Sequence, residues 1–385
     1  MRGSLLRRGR VKPSGSIAWY VSSHGWGHAS RQREVIREIV SRHPGVAATV
    51  ITDSPGWLWP STSRAVTDRR ATGPVPIESG ASIDLEATAR QLDSFSKRWT
   101  RLVRREAEFL SASGAGLVVS DIDAVPFEAA WSVGIPSVGI ANFTWDWAFS
   151  SLLGLPCEAC GLMSSMYSHG TLLRLPLGPS WQPFGACVDV PLLSAGIPRD
   201  PSRAREVFGS RPVLLVTLRD ASRLEGRRLT PPEGWLVASS LLEEVPGVGL
   251  NLPPARLDDL GLGFADLVEA ADAVLMTPGY GIVSQVLARG KRAVVLPRPG
   301  FPEVPYLMAS LDGRPGTVVR EARGLSGSGL GKAVMEALEG PDPVPVPSGG
   351  LEACVGFLSS LIDPRRMPGT AFREPDRRRS VDFEA

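Results

Sequence analysis

The sequence predicts an α/β protein made of two successive halves, each a parallel sheet flanked by helices. Strand-like apolar runs alternate with helix-like segments twice, first from about residue 16 and again from about residue 212. A stretch rich in Gly, Pro, Ser and Cys, at about residues 155–203, separates the two series. Such alternation is typical of Rossmann-like folds, and two of them facing each other place a ligand cleft at the carboxyl ends of both sheets. We expect one domain over 16–190 and a second over 205–362, with flexible basic tails at 1–15 and 364–385.

In the first half, each expected element follows from its apolar pattern. Residues 16–22, SIAWYVS, form an apolar run with β-branched and aromatic members, and residues 29–43 repeat apolar side chains at helical spacing. The other elements of this half are expected, in chain order, as a strand at 46–52, a long amphipathic segment at 84–111, a strand at 116–120, a helix near 127–133 and a strand at 137–141.

The second half repeats the alternation with shorter elements. It begins with a strand at 212–218, PVLLVTL. We then expect strands at 235–240, 273–276 and 292–297 and helices at 264–271, from 280, at 304–311, at 330–338 and at 351–362.

Composition and charge restrict the class of partner. The chain has 385 residues, of which 43% are hydrophobic and 21% charged, as in folded globular proteins. Eleven of the 42 basic residues lie before residue 13 or after residue 364, so residues 13–364 hold 31 basic against 36 acidic residues and carry about −5. This charge argues against a nucleic-acid partner for the folded body. The basic ends are expected to be solvated tails, with weak contact to an anionic membrane surface as the alternative.

Targeting and cysteine patterns predict a cytoplasmic protein. No apolar run is long enough to span a bilayer, and no apolar run follows the basic N-terminus as a secretory signal requires. Four cysteines in a chain of this length do not form a disulfide scaffold. Cys157 and Cys160 form one CxxC pair without a second, and we expect two free thiols in an irregular loop.

The turn SSHGWGHASR, from Ser22 to Arg31, holds two of the four histidines of the chain between a strand and a helix. Gly25 and Gly27 permit a tight turn whose amides suit an anion at the helix start. His24 and His28, four residues apart, could act as zinc ligands, although the glycines between them argue against a helical pair. Otherwise they only satisfy the turn, or one acts as a general base in the cleft.

Two further segments carry polar groups at the carboxyl ends of strands. In TPGYG, the amides of Gly279, Tyr280 and Gly281 precede a helix and would cradle a phosphate, although an ordinary glycine turn has the same sequence features. Asp121 ends a strand where its carboxylate could face the cleft. The segment NFTWDW, Asn142 to Trp147, suits either an acceptor surface or plain packing of its tryptophans.

The three segments, HGWGHASR, NFTWDW and DAVLMTPGYGIVSQVLARGKRAVVLPRPGFPE, together resemble GT-B nucleotide-sugar glycosyltransferases over roughly residues 16–340. The resemblance is to the group related to the peptidoglycan N-acetylglucosaminyltransferases and to the N-terminal region of L-arabinokinases. The sequence has no room for the kinase domain that follows in arabinokinases, so phosphorylation is not implied.

The resemblance implies two Rossmann-like domains, an acceptor side and a donor side, and a sugar transfer with inversion. His28 would be the general base for the acceptor hydroxyl, with Asp121 as the second catalytic residue, and neither a bound metal nor a resident cofactor is expected. The expected donor- and phosphate-binding residues are Thr277, Pro278, Gly279, Tyr280, Gly281, Gln285, Arg219 and Glu303, and the expected acceptor-loop residues are His24, Gly25, Gly27, Asn142 and Trp145.

This chain departs from the family pattern on the donor side. Gln285 stands where an acidic residue commonly binds the ribose, and Thr277 where Lys is common. The first strand of the second half leads into LRDASR instead of a Ser-Phe-Gly-Gly-like turn, so Arg219 or Arg298 would have to supply the positive charge.

We therefore expect transfer of a sugar from a nucleoside diphosphate donor, UDP-linked by resemblance, to a lipid-linked or small-molecule acceptor. The alternatives are a non-catalytic GT-B module that binds sugar nucleotides or acts as a scaffold, and a nucleotide-sugar epimerase.

Overall fold

The computed structural model describes residues 15–59, 64–79, 82–154, 157–180, 182–218, 224, 226–297 and 300–362. Its first half contains the strands β1 (Ser16–Val21), β2 (Ala47–Thr52), β3 (Ala65–Arg69), β6 (Leu117–Asp121), β7 (Ser137–Ala141), β8 (Thr171–Arg174) and β9 (Ala186–Asp189). These strands form one parallel sheet in the order β3-β2-β1-β6-β7-β8-β9. A separate antiparallel pair consists of β4 (Glu78–Ser79) and β5 (Ser82–Ile83).

Helices cover both faces of this sheet because its strands are apolar on both sides. The helices of the first half are α1 (Gly27–Arg42), α2 (Leu85–Ser96), α3 (Trp99–Ser113), α4 (Val125–Ser132), α5 (Trp145–Leu153) and α6 (Glu158–Tyr167). Val35 and Ile39 of α1 share a core with Trp19. On the opposite face, Leu110 of α3 packs with Tyr20.

The second half is a smaller parallel sheet of six strands. They are β10 (Val213–Thr217), β11 (Leu236–Ser239), β12 (Leu250–Asn251), β13 (Ala273–Met276), β14 (Arg292–Val295) and β15 (Thr317–Val319), in the order β12-β11-β10-β13-β14-β15. The helices of this part of the chain are α7 (Pro201–Phe208), α8 (Pro254–Leu260), α9 (Phe264–Ala270), α10 (Tyr280–Arg289), α11 (Val304–Leu311), α12 (Gly329–Glu339) and α13 (Gly350–Ile362).

The last helix returns to the first half and joins the two. α13 packs along α1, with Val355 and Leu358 in the same core as Val35. At the end of α1, Arg42 donates two hydrogen bonds to Glu352, at 2.8 and 2.6 Å. Helix α1 also contacts α10, so the two halves meet along one helix.

The α/β fold with two parallel sheets is confirmed, and the differences from the expected elements are local. The long amphipathic segment at 84–111 forms two helices, α2 and α3, because the chain turns at residues 97–98. The segment expected to be irregular, 155–203, contains α6, β8, β9 and α7. Short amphipathic elements bounded by Gly and Pro give too few periods to be recognised in sequence.

The expectation of two free thiols was wrong. Cys157 and Cys160 are joined by a disulfide at the start of α6, where Cys157 is the residue before the helix. One helical turn places residues three apart on the same side, which brings the two sulfur atoms together. Among the described residues, no helix is both long and apolar enough to cross a bilayer.

Candidate functional site

A cavity of about 640 Å³ lies between the two halves. The turn that joins β1 to α1 lines one wall, and the turn that joins β13 to α10 lines the other. Both turns follow the carboxyl ends of parallel strands, so each sheet presents the start of a helix to the same space.

His28 and Asp121 form a direct pair beside this cavity. His28 lies in the first turn of α1 and lines the cavity, whereas Asp121 ends β6 and is fully buried. The distance from Nδ1 of His28 to Oδ1 of Asp121 is 2.9 Å. Strand β6 pairs with β1, with Val21 opposite Asp121, and this register brings the two side chains together.

Buried hydrogen bonds satisfy both carboxylate oxygens of Asp121. Arg31 donates from Nε to Oδ2 and from Nη2 to Oδ1, each at 2.6 Å, and Gln32 donates from Nε2 to Oδ2 at 2.8 Å. Burial raises the pKa of Asp121, but the charges and hydrogen bonds of Arg31 and His28 outweigh it and hold this pKa well below its usual range. Asp121 is therefore ionised at neutral pH.

The ionised Asp121 determines which ring nitrogen of His28 carries the proton. A carboxylate only accepts hydrogen bonds, so Nδ1 of His28 is the donor in this pair. Nη2 of Arg31 is also 3.0 Å from Nδ1, but a guanidinium cannot accept, and this Nη2 already donates to Asp121. On this assignment from the hydrogen-bond partners, Nε2 of His28 keeps its lone pair.

His24 contributes to packing between the halves. Its ring stacks on Phe301 of the second half at a centroid distance of 4.9 Å and meets the edge of Trp145 at 5.3 Å. Gly25 follows with a positive φ of 75°, a conformation that favours glycine. His24 and Gly25 therefore shape the turn that carries His28.

Asp123 is a second buried carboxylate close to the pair. The hydroxyl of Thr72 donates a hydrogen bond to it. Burial raises the pKa of Asp123 to about 6; the Thr72 hydrogen bond and the charge of His28 oppose this shift, and the charge of Asp121 adds to it. Asp123 therefore titrates within the working range of most enzymes, whereas Asp121 does not.

The turn between β13 and α10 forms part of the opposite wall. The residues of this turn that line the cavity are Thr277, Pro278, Gly279, Tyr280 and Gly281. Helix α10 begins in the same turn, and the residue before it, Gly279, gives it no side-chain cap. The first-turn N–H groups of an uncapped helix are free to bind an acceptor, and the helix dipole makes this end positive.

The starts of α1 and α10 touch each other. Helix α1 also lacks a side-chain cap. A Cβ atom on Gly27 would lie 3.3 Å from the nitrogen of Gly281, and one on Gly281 would lie 3.2 Å from Cα of Gly27. Glycine at both positions allows two positive helix ends to converge at one edge of the cavity.

Behind this contact, two side chains of the second half are buried. The guanidinium of Arg31 lies 4.9 Å from the centre of the Tyr280 ring, and burial raises the pKa of the Tyr280 phenol above its usual value. Gln285, which replaces the acid expected at the ribose, is buried, and its Oε1 has no hydrogen-bond partner among the described residues.

Asn142 connects the two halves beneath the cavity. Its Oδ1 accepts from Nη1 of Arg31 at 3.0 Å, and its Nδ2 donates to Oε1 of Glu303 at 2.7 Å. Glu303 lines the cavity, whereas Asn142 is fully buried and Trp145 nearly so. The segment NFTWDW was expected either to form an acceptor surface or to pack in the core. Asn142 and Trp145 are buried beneath the cavity surface, as in the second interpretation.

Two residues expected to supply positive charge, Arg219 and Arg298, lie outside the described residues. Within the described part of the chain, no cluster of three or more His, Cys, Asp and Glu side chains is arranged to hold a metal ion.

Sequence reasoning missed the buried partners of the pair, Arg31, Gln32 and Asp123. Arg31 and Gln32 follow His28 by three and four residues on α1, which places all three on one helix face. The sequence signal for Arg31 and Gln32 was the presence of polar side chains three and four residues after His28, on a helix face that is otherwise apolar and buried.

No protein-family model matches the sequence. The chain is 29% identical over 317 residues to L-arabinokinase of Arabidopsis thaliana; the match covers 77% of this chain and 29% of the arabinokinase. The chain therefore spans less than a third of that relative.

Solved structures share the fold. The calicheamicin glycosyltransferase CalG4 is 15% identical with a TM-score of 0.57, covering 92% of this chain and all of CalG4. UGT89C1 of Arabidopsis thaliana, complexed with UDP-L-rhamnose, is 14% identical with a TM-score of 0.50, covering 90% and 92% of the two chains. The expected GT-B architecture is confirmed: this chain has the fold of the GT-B glycosyltransferases.

Proposed function

We propose that this GT-B chain is a glycosyltransferase that moves a sugar from a nucleoside diphosphate donor, UDP-linked by resemblance, to an acceptor hydroxyl with inversion. One observation carries the proposal. His28, held through Nδ1 by the buried Asp121, lines the same cavity as the uncapped start of α10. A base and an anion-binding helix end facing one space are the two groups that this reaction needs.

In the proposed reaction, Nε2 of His28 accepts the proton of the acceptor hydroxyl. The acceptor oxygen attacks the anomeric carbon from the face opposite the leaving group. The bond from that carbon to the diphosphate oxygen breaks, and the nucleoside diphosphate leaves with the electron pair. Asp121 stabilises the resulting imidazolium and remains ionised throughout.

The second half would stabilise the leaving group. The amides at Gly279, Tyr280 and Gly281 and the dipole of α10 would hold the diphosphate, with the hydroxyl of Thr277 as a further donor. Glu303 lies within reach of the cavity as an acceptor for sugar hydroxyls. No step requires a bound metal, and the acceptor is a lipid-linked or small molecule.

The test is calorimetric titration of the full chain with UDP and then with other nucleoside diphosphates, with and without a divalent metal. We expect one nucleotide to bind with a clear preference and without metal. The nucleotide that binds identifies the nucleobase of the donor. Sugar donors with that nucleobase are then screened, and the product is measured by mass spectrometry.

Binding of none of the nucleotides would overturn the transferase. Binding without turnover of any donor or acceptor would support the non-catalytic GT-B module instead. The neutral Gln285 and Thr277 favour that second candidate, whereas the buried support of His28 opposes it.

A further inference from the structure

Among the arginines that line the cavity without a role in the proposed reaction, Arg37 and Arg199 lie close enough to Arg33 for their charges to act on it. Arg33 and Arg37 lie on α1, and Arg199 lies in the segment that precedes α7. They occupy the same cavity as His28. Two acidic side chains, Glu34 and Asp258, also line it there, so the group has one positive charge in excess.

Arg37 is the one of these three that forms a close ion pair with a described residue. Its Nη2 lies 2.6 Å from Oε2 of Glu34. The closest approach of Arg33 to Glu34 is 3.9 Å, and its buried Nε has no hydrogen-bond partner among the described residues. The guanidinium of Arg199 forms no hydrogen bond or ion pair within the described part of the chain.

Arg33 is partly buried: a third of its side chain is exposed, whereas its Nε is buried. Burial lowers the pKa of its guanidinium; the charges of Arg199 and Arg37 lower it further, and those of Glu34 and Asp258 oppose the shift. A buried donor left without a partner costs free energy, and a bound anion would both satisfy the donor and offset the repulsion between the arginines.

The position of this cluster separates it from the expected diphosphate position. Arg33 follows His28 by five residues on α1, a rise of about 7.5 Å along the helix axis. The diphosphate is expected at the other side of His28, where Gly27 meets Gly281. Trp57 and Trp26, in edge contact, line the same cavity and offer an apolar surface.

We propose that Arg33, Arg37 and Arg199 form a second anion subsite, which binds a carboxylate or phosphate group of the acceptor while its hydroxyl lies at His28. This assignment rests on the proposed transferase function. It makes the acceptor an amphipathic molecule with an apolar body for Trp57 and an anionic group on the order of 10 Å from the reacting hydroxyl.

The test uses two probes of the same shape, benzoate and benzamide, which differ in charge. Each is titrated by NMR into the full chain, with and without saturating UDP. We expect benzoate to bind in both conditions, about tenfold more tightly than benzamide, as for one charge-assisted hydrogen bond.

Three variants identify the subsite. Arg33→Gln and Arg199→Gln should each weaken benzoate binding about tenfold and leave UDP and benzamide binding within about twofold. Arg203→Gln is the matched control, since Arg203 is exposed on α7 and does not line the cavity. Thermal unfolding shows whether each variant folds.

Equal binding of the two probes, or an unchanged benzoate affinity in both variants, would overturn the subsite. Displacement of benzoate by UDP would assign the arginines to the nucleotide phosphates and also overturn it. Arginine-dependent benzoate binding in a protein that binds no nucleotide would support the subsite while the transferase proposal failed.

Discussion

The turns at His28 and at Gly281 each follow the carboxyl end of a parallel strand, β1 in the first sheet and β13 in the second, and line one cavity, yet they are built differently. Around His28, side chains decide the arrangement: Asp121, Arg31 and Gln32 form a closed buried network. Around Gly281, glycines and an uncapped helix start line the cavity, and the side chain of Gln285 has no hydrogen-bond partner for its Oε1 within the described part of the chain.

The difference indicates which end of the site tolerates substitution. A helix start binds an anion through amides that every residue except proline supplies, so replacing the common Lys by Thr277 leaves the backbone donors in place. A buried ion pair fails when one partner is lost, because the other charge is stranded. The histidine side is therefore expected to respond strongly to mutation and the glycine side weakly.

The largest expected effect is on turnover. His28→Ala should lower kcat by roughly two to four orders of magnitude while UDP binding persists, since the substitution removes the proposed general base and leaves the proposed nucleotide site intact. Steady-state kinetics and calorimetry measure the two quantities. The control is His169→Ala, because His169 stacks on Trp131 at the surface, away from the cavity. An unchanged kcat would refute the assignment of His28.

The next effect is on stability. Arg31→Met should lower the free energy of unfolding by roughly 3–5 kcal/mol, since it strands the buried Asp121 carboxylate. Arg42→Met, which breaks the exposed pair with Glu352, should cost about 0–1 kcal/mol. Denaturant unfolding of both variants makes the comparison, and equal losses would contradict a buried ion pair at Arg31.

Asp123 should make stability depend on pH. Its pKa is raised from 3.8 to about 6 in the folded protein, so the folded state binds the proton more tightly. Protonated Asp123 therefore contributes on the order of 2–3 kcal/mol to the free energy of unfolding below about pH 4, and this contribution is lost as the pH rises through about 6.

Asp123→Asn should remove that part of the pH dependence. Unfolding measured from pH 4 to 7 should then give a flatter profile than that of the parent protein. Profiles of equal slope would show that Asp123 does not titrate in this range.

The smallest effect is expected on the glycine side. Gln285→Glu should raise the ratio of the affinity for UDP to the affinity for dideoxy-UDP, which lacks the ribose hydroxyls, by about fivefold. The reason is that a carboxylate accepts a stronger hydrogen bond from a hydroxyl than an amide does. Gln182→Glu is the matched control: Gln182 also has a buried Oε1 with no hydrogen-bond partner among the residues that the structure describes, but it does not line the cavity. If the substitution changed the affinities for UDP and for the dideoxy analogue by the same factor, Gln285 would not contact the ribose hydroxyls.

The sequence allowed the position of the candidate site in the fold to be predicted more fully than the side-chain contacts within it. His28, Thr277 and Gly281, which the sequence places after strand ends, all line one cavity. The same reasoning left the surroundings of Asp121 unassigned and did not find Arg31 or Asp123. Asn142 and Trp145 were expected near the acceptor but lie buried, because an aromatic run in sequence does not indicate which side faces a cavity.

By itself the sequence determined the α/β alternation, the two halves and the turns at the strand ends, because apolar period and glycine position report local backbone and burial. Only the tertiary structure decided that β6 lies beside β1, and that order alone brings Asp121 to His28 and Arg31 across about 90 residues. The pairing of distant charges depends on strand order and register, which no local spacing records.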